Sequence, residues 1–327
     1  MDNLAVFPAL PSAEEKFALV FPGQGSQHIG MGQQMYERFA AARSVFQQAE
    51  DVLGVALAKL CFEGPADALD DTVNAQPAIF TVSIAALEVL KERYQALGQK
   101  LTPIAVAGHS LGEYSALVAA GALDFSDGLQ LVQERGRLMK EAGDERPGGM
   151  AAVLGLDREA LSALCLEASK DGGIVVLAND NCPGQSVISG ELMALEQAMS
   201  LAVREGARKA VRLGISIASH SPLMERAGQQ LSLLLDRVHL HEPVVPIVSN
   251  ITGKVSISVE ELRQNLQNHV VRPVMWNNSV GLMLDNGVTT FVEVGPGNVL
   301  SGLIRRIKRD ARTLTLNDLI PMNTTSS

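Results

Sequence analysis

Five residues, Gly108-His109-Ser110-Leu111-Gly112, constrain this chain more than any other stretch. The apolar run Ile104-Ala105-Val106-Ala107 precedes them. Glu113-Tyr114-Ser115-Ala116-Leu117-Val118-Ala119-Ala120, apolar on one side at helical spacing, follows. Strand, tight turn and helix is the setting in which G-x-S-x-G makes a nucleophile elbow: the glycines let backbone pass close to the serine, and the turn lifts its hydroxyl out at the top of a sheet. The first N–H groups of the helix then face whatever Ser110 attacks, where fixed donors stabilise a developing oxyanion. An α/β fold is the expectation.

The remainder leaves room for such a sheet. Of 327 residues 46% are apolar, enough for one large domain or a domain with a smaller one inserted. With 36 acidic and 27 basic residues the formal net charge is -9, which argues against a general nucleic-acid binder and requires a local basic patch for any acidic partner. Cys61, Cys165 and Cys182 are neither paired by spacing nor set with histidines at metal-ligand intervals, as fits a reducing compartment and no metal site. Residues 1–16 lack a basic start and a sustained apolar core, and Pro8 and Pro11 interrupt them; they read as an N-terminal extension, not a signal peptide. No apolar run reaches the roughly 18 residues that span a bilayer, so a cytoplasmic protein without a membrane partner is expected.

The ordered chain is expected to begin at the strand Phe17-Ala18-Leu19-Val20-Phe21, which enters Pro22-Gly23-Gln24-Gly25-Ser26-Gln27. That segment is either backbone exposed for a ligand or a plain tight turn, and its glycine spacing is not the dinucleotide fingerprint. A helical pattern runs from Gly32 to about Leu60, another from Ala78 to Leu97, and a third from Ser126 to Ala142. Gly143–Gly149 is a polar, glycine-rich joint. Beyond it come a strand at Met150–Leu154, a helix at Arg158–Lys170, a strand at Ile174–Ala178, a turn at Asn179–Gly184, a strand at Gln185–Ser189, a helix at Leu192–Glu205 and a strand at Ala210–Leu213. That order is the split pattern of a ferredoxin-like unit, here inserted at 143–213. The main body resumes at 214 with a helix to about Val238, a strand at Pro246–Asn250, a helix at Glu260–Val270, a last strand from Phe291 and a helix at Leu300–Lys308. Residues 313–327 are expected to form a C-terminal tail, polar and disordered at Asn323–Ser327.

A serine on an elbow needs a base. His109 is its neighbour, where side chains point apart, and reads as structural or pocket-lining. His239 and His241 follow an amphipathic helix and read as surface residues; His28 lies in the first glycine-rich segment. His220, expected to open a helix after a strand, stands where open α/β sheets gather their sites. It is either that base or a hydrogen-bonded structural histidine; an imidazole with pKa near 6.5 suits the task at neutral pH. Arg135, taken alone, is a solvated arginine paired with Glu134 or Glu141.

Seven segments in order then become recognisable: Phe21-Pro22-Gly23-Gln24-Gly25-Ser26-Gln27, Gly108 to Tyr114, Arg135-Gly136-Arg137, Asn181-Cys182-Pro183-Gly184-Gln185, Ser219-His220-Ser221-Pro222-Leu223-Met224, Pro273-Val274-Met275-Trp276 and Glu293-Val294-Gly295-Pro296-Gly297. Together they resemble the malonyl-CoA:acyl carrier protein transacylases of fatty-acid synthesis and the acyltransferases of polyketide synthases. The resemblance covers about Phe17 to Lys308. It implies an α/β-hydrolase-like large domain, in two parts at 17–142 and 214–312, around the ferredoxin-like small subdomain. It also implies Ser110 as nucleophile, His220 as base and the backbone N–H groups of Gln24 and Leu111 as oxyanion hole. Arg135 would hold the free carboxylate of a malonyl group, to which a planar fork of donors is matched. Malonyl-CoA and a phosphopantetheinylated acyl carrier protein would be the substrates of a ping-pong reaction, with no bound cofactor and a monomeric enzyme.

Two departures bear on this. His269 stands where the family often has a glutamine whose main-chain carbonyl orients the catalytic histidine; the role belongs to the backbone and is expected to survive. Ser219, before the base, is compatible with malonyl or methylmalonyl selection, and malonyl is favoured. An acyl hydrolase of the same fold and a non-catalytic carrier-docking module are the rival readings. For docking, Arg305, Arg306, Lys308, Arg309 and Arg312, with Arg204, Arg208, Lys209 and Arg212, are either a patch for an acidic partner or solvated helix faces.

Overall fold

Phe17, Leu19 and Phe21 face one apolar cluster and Ala18 and Val20 another. A strand covered on both faces reads as an unbroken apolar run, as parallel sheets between helical layers require. The computed structural model describes residues 10–320 apart from 13 and 171. In chain order, β1 (Phe17–Phe21) leads to α1 (Gln33–Arg38), α2 (Ala40–Leu53), α3 (Leu57–Glu63), α4 (Ala66–Asp70) and α5 (Thr72–Ala96), then to β2 (Ala105–Gly108), α6 (Gly112–Ala119) and α7 (Phe125–Glu145). A second group comprises β3 (Gly148–Leu154), α8 (Arg158–Ala168), β4 (Val175–Cys182), β5 (Gln185–Glu191), α9 (Leu192–Arg204) and β6 (Lys209–Arg212). After a 3-10 turn at Pro222–Met224 come α10 (Glu225–Leu235), β7 (Ile247–Val248), β8 (Val255–Ser256), α11 (Val259–Asn268), α12 (Trp276–Asp285), β9 (Thr290–Glu293), α13 (Val299–Ile307), β10 (Arg312–Thr315) and α14 (Leu316–Leu319).

Two sheets result. The larger has the order β10-β9-β1-β2-β7-β8, parallel throughout except for β7 with β8. Phe46 of α2, Ile79 of α5, Val132 of α7 and Leu231 of α10 belong to the core on one face; Val280 of α12 and Leu303 of α13 belong to the core on the other. The smaller sheet is antiparallel, in the order β4-β5-β3-β6. Strand alternation divides its faces: Ala151 and Val153 pack on α8 and α9 through Leu161, Cys165, Leu195 and Ala198, while Met150 and Ala152 turn towards the elbow.

Several expectations are corrected. The helical stretch after Gly32 is three helices, because Phe39 is extended and Gly54 left-handed. α5 begins at Thr72, where the Asp71 side chain accepts from the Val73 N–H, and Pro77 lies inside it. This helix is apolar and long enough by composition to cross a membrane, yet its most apolar window is 83% buried within the protein. α7 runs into the expected joint as far as Glu145, with the buried Gly143 packed against Ile217. The turn expected at Asn179–Gly184 is mostly strand: β4 continues to Cys182 through two register shifts because Asp180 N–H bonds the Val274 carbonyl and Val274 N–H that of Ala178, each at 2.8 Å. No strand precedes His220; residues 214–219 are irregular. The sheet does not end at β9: Arg312–Thr315 pairs with it as β10, so Thr313–Thr315, expected to open a tail, are strand, and α14 follows. A four-residue strand with one buried leucine has no periodicity to read. Residues 321–327, the remainder of that tail with the disorder expected at 323–327, lie outside the described residues, as do 1–9 and 13 of the N-terminal extension. Of the described part of that extension, Pro11 accepts a hydrogen bond from Tyr94.

Candidate active site

Ser110 stands at the end of β2 with φ of 49°, a left-handed conformation that turns the chain from strand into helix. The turn is too tight for side chains on its flanks. A Cβ on Gly108 would come within 1.9 Å of the Gly112 carbonyl carbon, and one on Gly112 within 2.0 Å of the Phe21 carbonyl oxygen. Glycine is required at both positions by this close approach. The Ser110 hydroxyl is thereby presented to a cavity of about 260 Å³ between the two sheets, walled by Met150, Ala152, Asn179 and Val187 of the small one. A larger open cleft, about 600 Å³, beside His28, Gly297 and Asn317 contains none of the expected catalytic residues.

His220 reaches the serine from the other side. Its Nε2 lies 2.8 Å from Ser110 Oγ, and its Nδ1 lies 3.0 Å from the carbonyl oxygens of both His269 and Arg272. Carbonyls only accept, so Nδ1 carries the proton and the Nε2 lone pair faces the hydroxyl. Burial drives the His220 pKa well below 6.5, helped by His269, Arg135 and His109 nearby, while the Arg272 carbonyl opposes the shift. A neutral imidazole aimed at a serine hydroxyl is chemically able to accept its proton.

Arg135 is 2% exposed, and this corrects its reading as a solvated residue. Glu134 and Glu141 pair instead with Arg137, at 2.8 and 2.5 Å. Arg135 donates to Gln76 Oε1 at 2.7 Å and to Ser110 Oγ at 3.0 Å, and its guanidinium lies over the Tyr114 ring. Among the described residues no carboxylate lies within ion-pair distance of it. Glu113, buried beneath the elbow, has its pKa pushed up to about 8 by burial, against the pull of the Asn250 N–H and Arg135, so it is largely protonated at neutral pH. A buried cation without a counter-ion is costly, and here it fronts a cavity beside the Ser110 hydroxyl.

The other expected residues gather around these three. Gln24 lines the cavity and its side chain donates to Thr72 Oγ1 at 2.9 Å. The N–H groups of Gln24 and Leu111 take part in none of the turn and loop hydrogen bonds among the described residues. Ser219 also lines the cavity. His109 Nε2 lies 2.8 Å from Asn181 Oδ1 on β4, which ties the elbow to the small sheet, and burial lowers its pKa. The ring of His269 is buried, with Nε2 3.1 Å from Glu113 Oε2 but without a well-directed hydrogen bond. His28, His239 and His241 are exposed and apart from the site. Among the described residues no group of three or more His, Cys, Asp or Glu is placed to hold a metal ion.

Gln76 and Asn250 were not singled out by sequence reasoning. Gln76 is a fully buried amide in the buried stretch of α5, and a buried amide signals a specific partner. Asn250 follows β7 at the carboxyl end of the parallel sheet, where such folds place their sites.

The acyl transferase domain family matches residues 18–324. A malonyl CoA-acyl carrier protein transacylase of Bacillus subtilis is 45% identical over 303 residues, covering 93% of this chain and 94% of that protein. The structure of the malonyl CoA-acyl carrier protein transacylase from Coxiella burnetii superposes with a TM-score of 0.89 at 38% identity, over 94% of this chain and 95% of that one. A chain from the complex of a type II PKS acyl-carrier protein with its malonyl-transacylase superposes with a TM-score of 0.88 at 39% identity, over 94% and 98%. With the elbow, the imidazole and the buried guanidinium in one cavity, the chain belongs to the acyl transferase family of malonyl CoA-acyl carrier protein transacylases.

Proposed function

We propose that the protein moves a malonyl group from malonyl-CoA, through an ester on Ser110, to the phosphopantetheine thiol of an acyl carrier protein, in fatty-acid or polyketide synthesis. The observation that carries this reading is the convergence of a neutral imidazole and a buried guanidinium on one hydroxyl, at 2.8 and 3.0 Å. As Ser110 Oγ attacks the thioester carbonyl, its proton passes to His220 Nε2, and Nδ1 stays bonded to the two carbonyls that orient the ring. The oxyanion is received by the N–H groups of Gln24 and Leu111, donors worth about 10²–10³ in rate where such holes have been dissected. The tetrahedral intermediate collapses, and the coenzyme A sulfur leaves with the proton from His220. In the second half the carrier's thiol gives its proton to the same nitrogen as its sulfur attacks the seryl ester, and Ser110 recovers the proton on release. Arg135 holds the free carboxylate in both halves, a charge-assisted contact worth about 1.5–3 kcal/mol. An acyl hydrolase has no use for that cation. No cofactor beyond the two substrates is required.

In the same reading the six-stranded sheet with its elbow is of α/β-hydrolase type, and the sheet ordered β4-β5-β3-β6, built as strand, helix, strand, strand, helix, strand, is a ferredoxin-like insert at 143–213. Malonyl is preferred to methylmalonyl, with Ser219 at the acyl pocket. The basic residues at the end of α13, Arg305 and Arg306, receive the acidic carrier beside the cavity that Val299, Leu300 and Leu303 of that helix line.

Intact-mass measurement after mixing with malonyl-, methylmalonyl- and acetyl-CoA tests the proposal. A malonyl adduct on the wild type that is absent from Ser110→Ala is expected. No adduct at all, or one that persists in Ser110→Ala, overturns it.

A further inference from the structure

We propose that Asn250 is a positioning residue for acyl transfer, holding the Ser110 elbow in its reactive geometry by extending a β-ladder with its side-chain amide; this rests on Ser110 being the residue acylated. β7 pairs with β2 through Ile247 and Val248, opposite Val106 and Ala107, and the strand pairing stops there. Beyond that end, Asn250 Nδ2 donates to the Gly108 carbonyl and Oδ1 accepts from the Ser110 N–H at 2.6 Å. In a parallel ladder the N–H and C=O of one residue bond the C=O and N–H that flank a single residue of the neighbouring strand. The Asn250 amide does this to His109, so the ladder continues for one step after β2 has begun to turn into the helix.

The amide orientation follows from its partners, since the Gly108 oxygen only accepts and the Ser110 N–H only donates. Aspartate keeps the acceptor but, once ionised, loses the donor; glutamine sets the amide one carbon further out. Asn250 is itself fully buried and fixed by its backbone: its N–H donates to Glu113 Oε2 at 3.2 Å, and its carbonyl accepts from the Met275 N–H at 2.7 Å. Two consequences reach the chemistry. The left-handed backbone of Ser110 is held from both sides of the bend. The Ser110 N–H is also occupied, which leaves the Leu111 N–H as the elbow's donor to an oxyanion.

The test is single-turnover acylation of the full chain by malonyl-CoA, followed by intact mass. Asn250→Ala is expected to slow the rate constant by about 10- to 100-fold, the scale of a small misplacement of a reacting group. Its burst amplitude stays at one malonyl per folded chain, and its KM for malonyl-CoA stays within about twofold, because the Arg135 contacts are untouched. A wild-type rate constant, or a lost amplitude at an unchanged rate constant, overturns the proposal. Should that variant fail to fold, Asn250→Asp serves. Its rate relative to wild type, in which Glu113 beside the site titrates equally, is expected to fall between about pH 6 and pH 9, as the buried carboxyl that can donate to Gly108 becomes a carboxylate that cannot; a ratio flat across that range overturns the proposal. Wild-type adduct formation in the same run is the control, and its absence counts against the transferase reading instead.

Discussion

Ser110 and His220, joined through Oγ and Nε2 at 2.8 Å, are the two non-glycine residues with positive φ among the described residues, at 49° and 58°. Such a backbone costs an L-residue of order 1–2 kcal/mol and persists only where its surroundings over-determine it. Asn250 supplies that constraint at Ser110. At His220 it comes from the N–H bond to the Val270 carbonyl and from the two carbonyls on Nδ1.

Because Arg135 has an amide and a hydroxyl as partners and no carboxylate, its charge is available to a substrate. Arg135→Ala is expected to lower kcat/KM for malonyl-CoA by about 10- to 150-fold, the loss of one charged hydrogen-bond set, while acyl groups without a carboxylate are handled relatively better. Gln76→Glu places a carboxylate where Gln76 Oε1 now lies, 2.7 Å from Arg135 Nη1, and is expected to weaken malonyl binding in the same direction. Steady-state kinetics with malonyl- and acetyl-CoA check both; an unchanged malonyl preference in either variant contradicts the assignment of the cation.

His269 acts on His220 through its carbonyl, so its ring is dispensable for that contact. His269→Gln is expected to keep kcat within about threefold of wild type, an isolated change that leaves the backbone bond in place. Turnover and melting temperature measured together check this, and a large fall in kcat in a well-folded variant shows that the imidazole itself is needed.

The pH dependence of acylation follows from His220. As the proposed base it must be neutral, and its pKa lies well below 6.5, so the rate is expected to hold as pH falls through the ordinary histidine range and to decline only in more acidic solution. Rapid-quench acylation rates across pH check the sign: an acid limb centred at or above 6.5 contradicts it.

Glu113 carries the opposite sign for stability. Its pKa is raised from 4.5 to about 8, chiefly by burial, so its contribution to folding is fully present below 4.5 and is lost as pH rises through 8. His220 and His269, whose pKa values are lowered by burial, contribute stability above 6.5 that is lost on acidification, and this is common to wild type and variant. Glu113→Gln cannot ionise, so its melting temperature relative to wild type is expected to rise from about pH 6 to about pH 9. Thermal melts at the two ends check it, and a difference that is constant or falls with pH rules out a carboxyl held protonated by burial.

Features written in consecutive residues were legible from the chain alone. The apolar run at Phe17–Phe21, the elbow at Gly108–Gly112 and the strand and helix alternation after residue 148 each carry their signal within a few positions, because strand burial, tight turns and helical faces are local in sequence. Family resemblance added the roles of Ser110, His220 and Arg135. Tertiary structure alone decided what depends on distant partners: the buried Arg135 guanidinium finds an acceptor in Gln76, 59 positions away, β4 outruns its expected turn because Val274 satisfies its backbone, and β10 exists because β9 offers it an edge. A hydrogen-bond partner supplied from another layer leaves no periodicity behind. Ser110 could therefore be singled out from five residues, whereas Asn250, 140 positions further along the chain, emerged only from the folded contact.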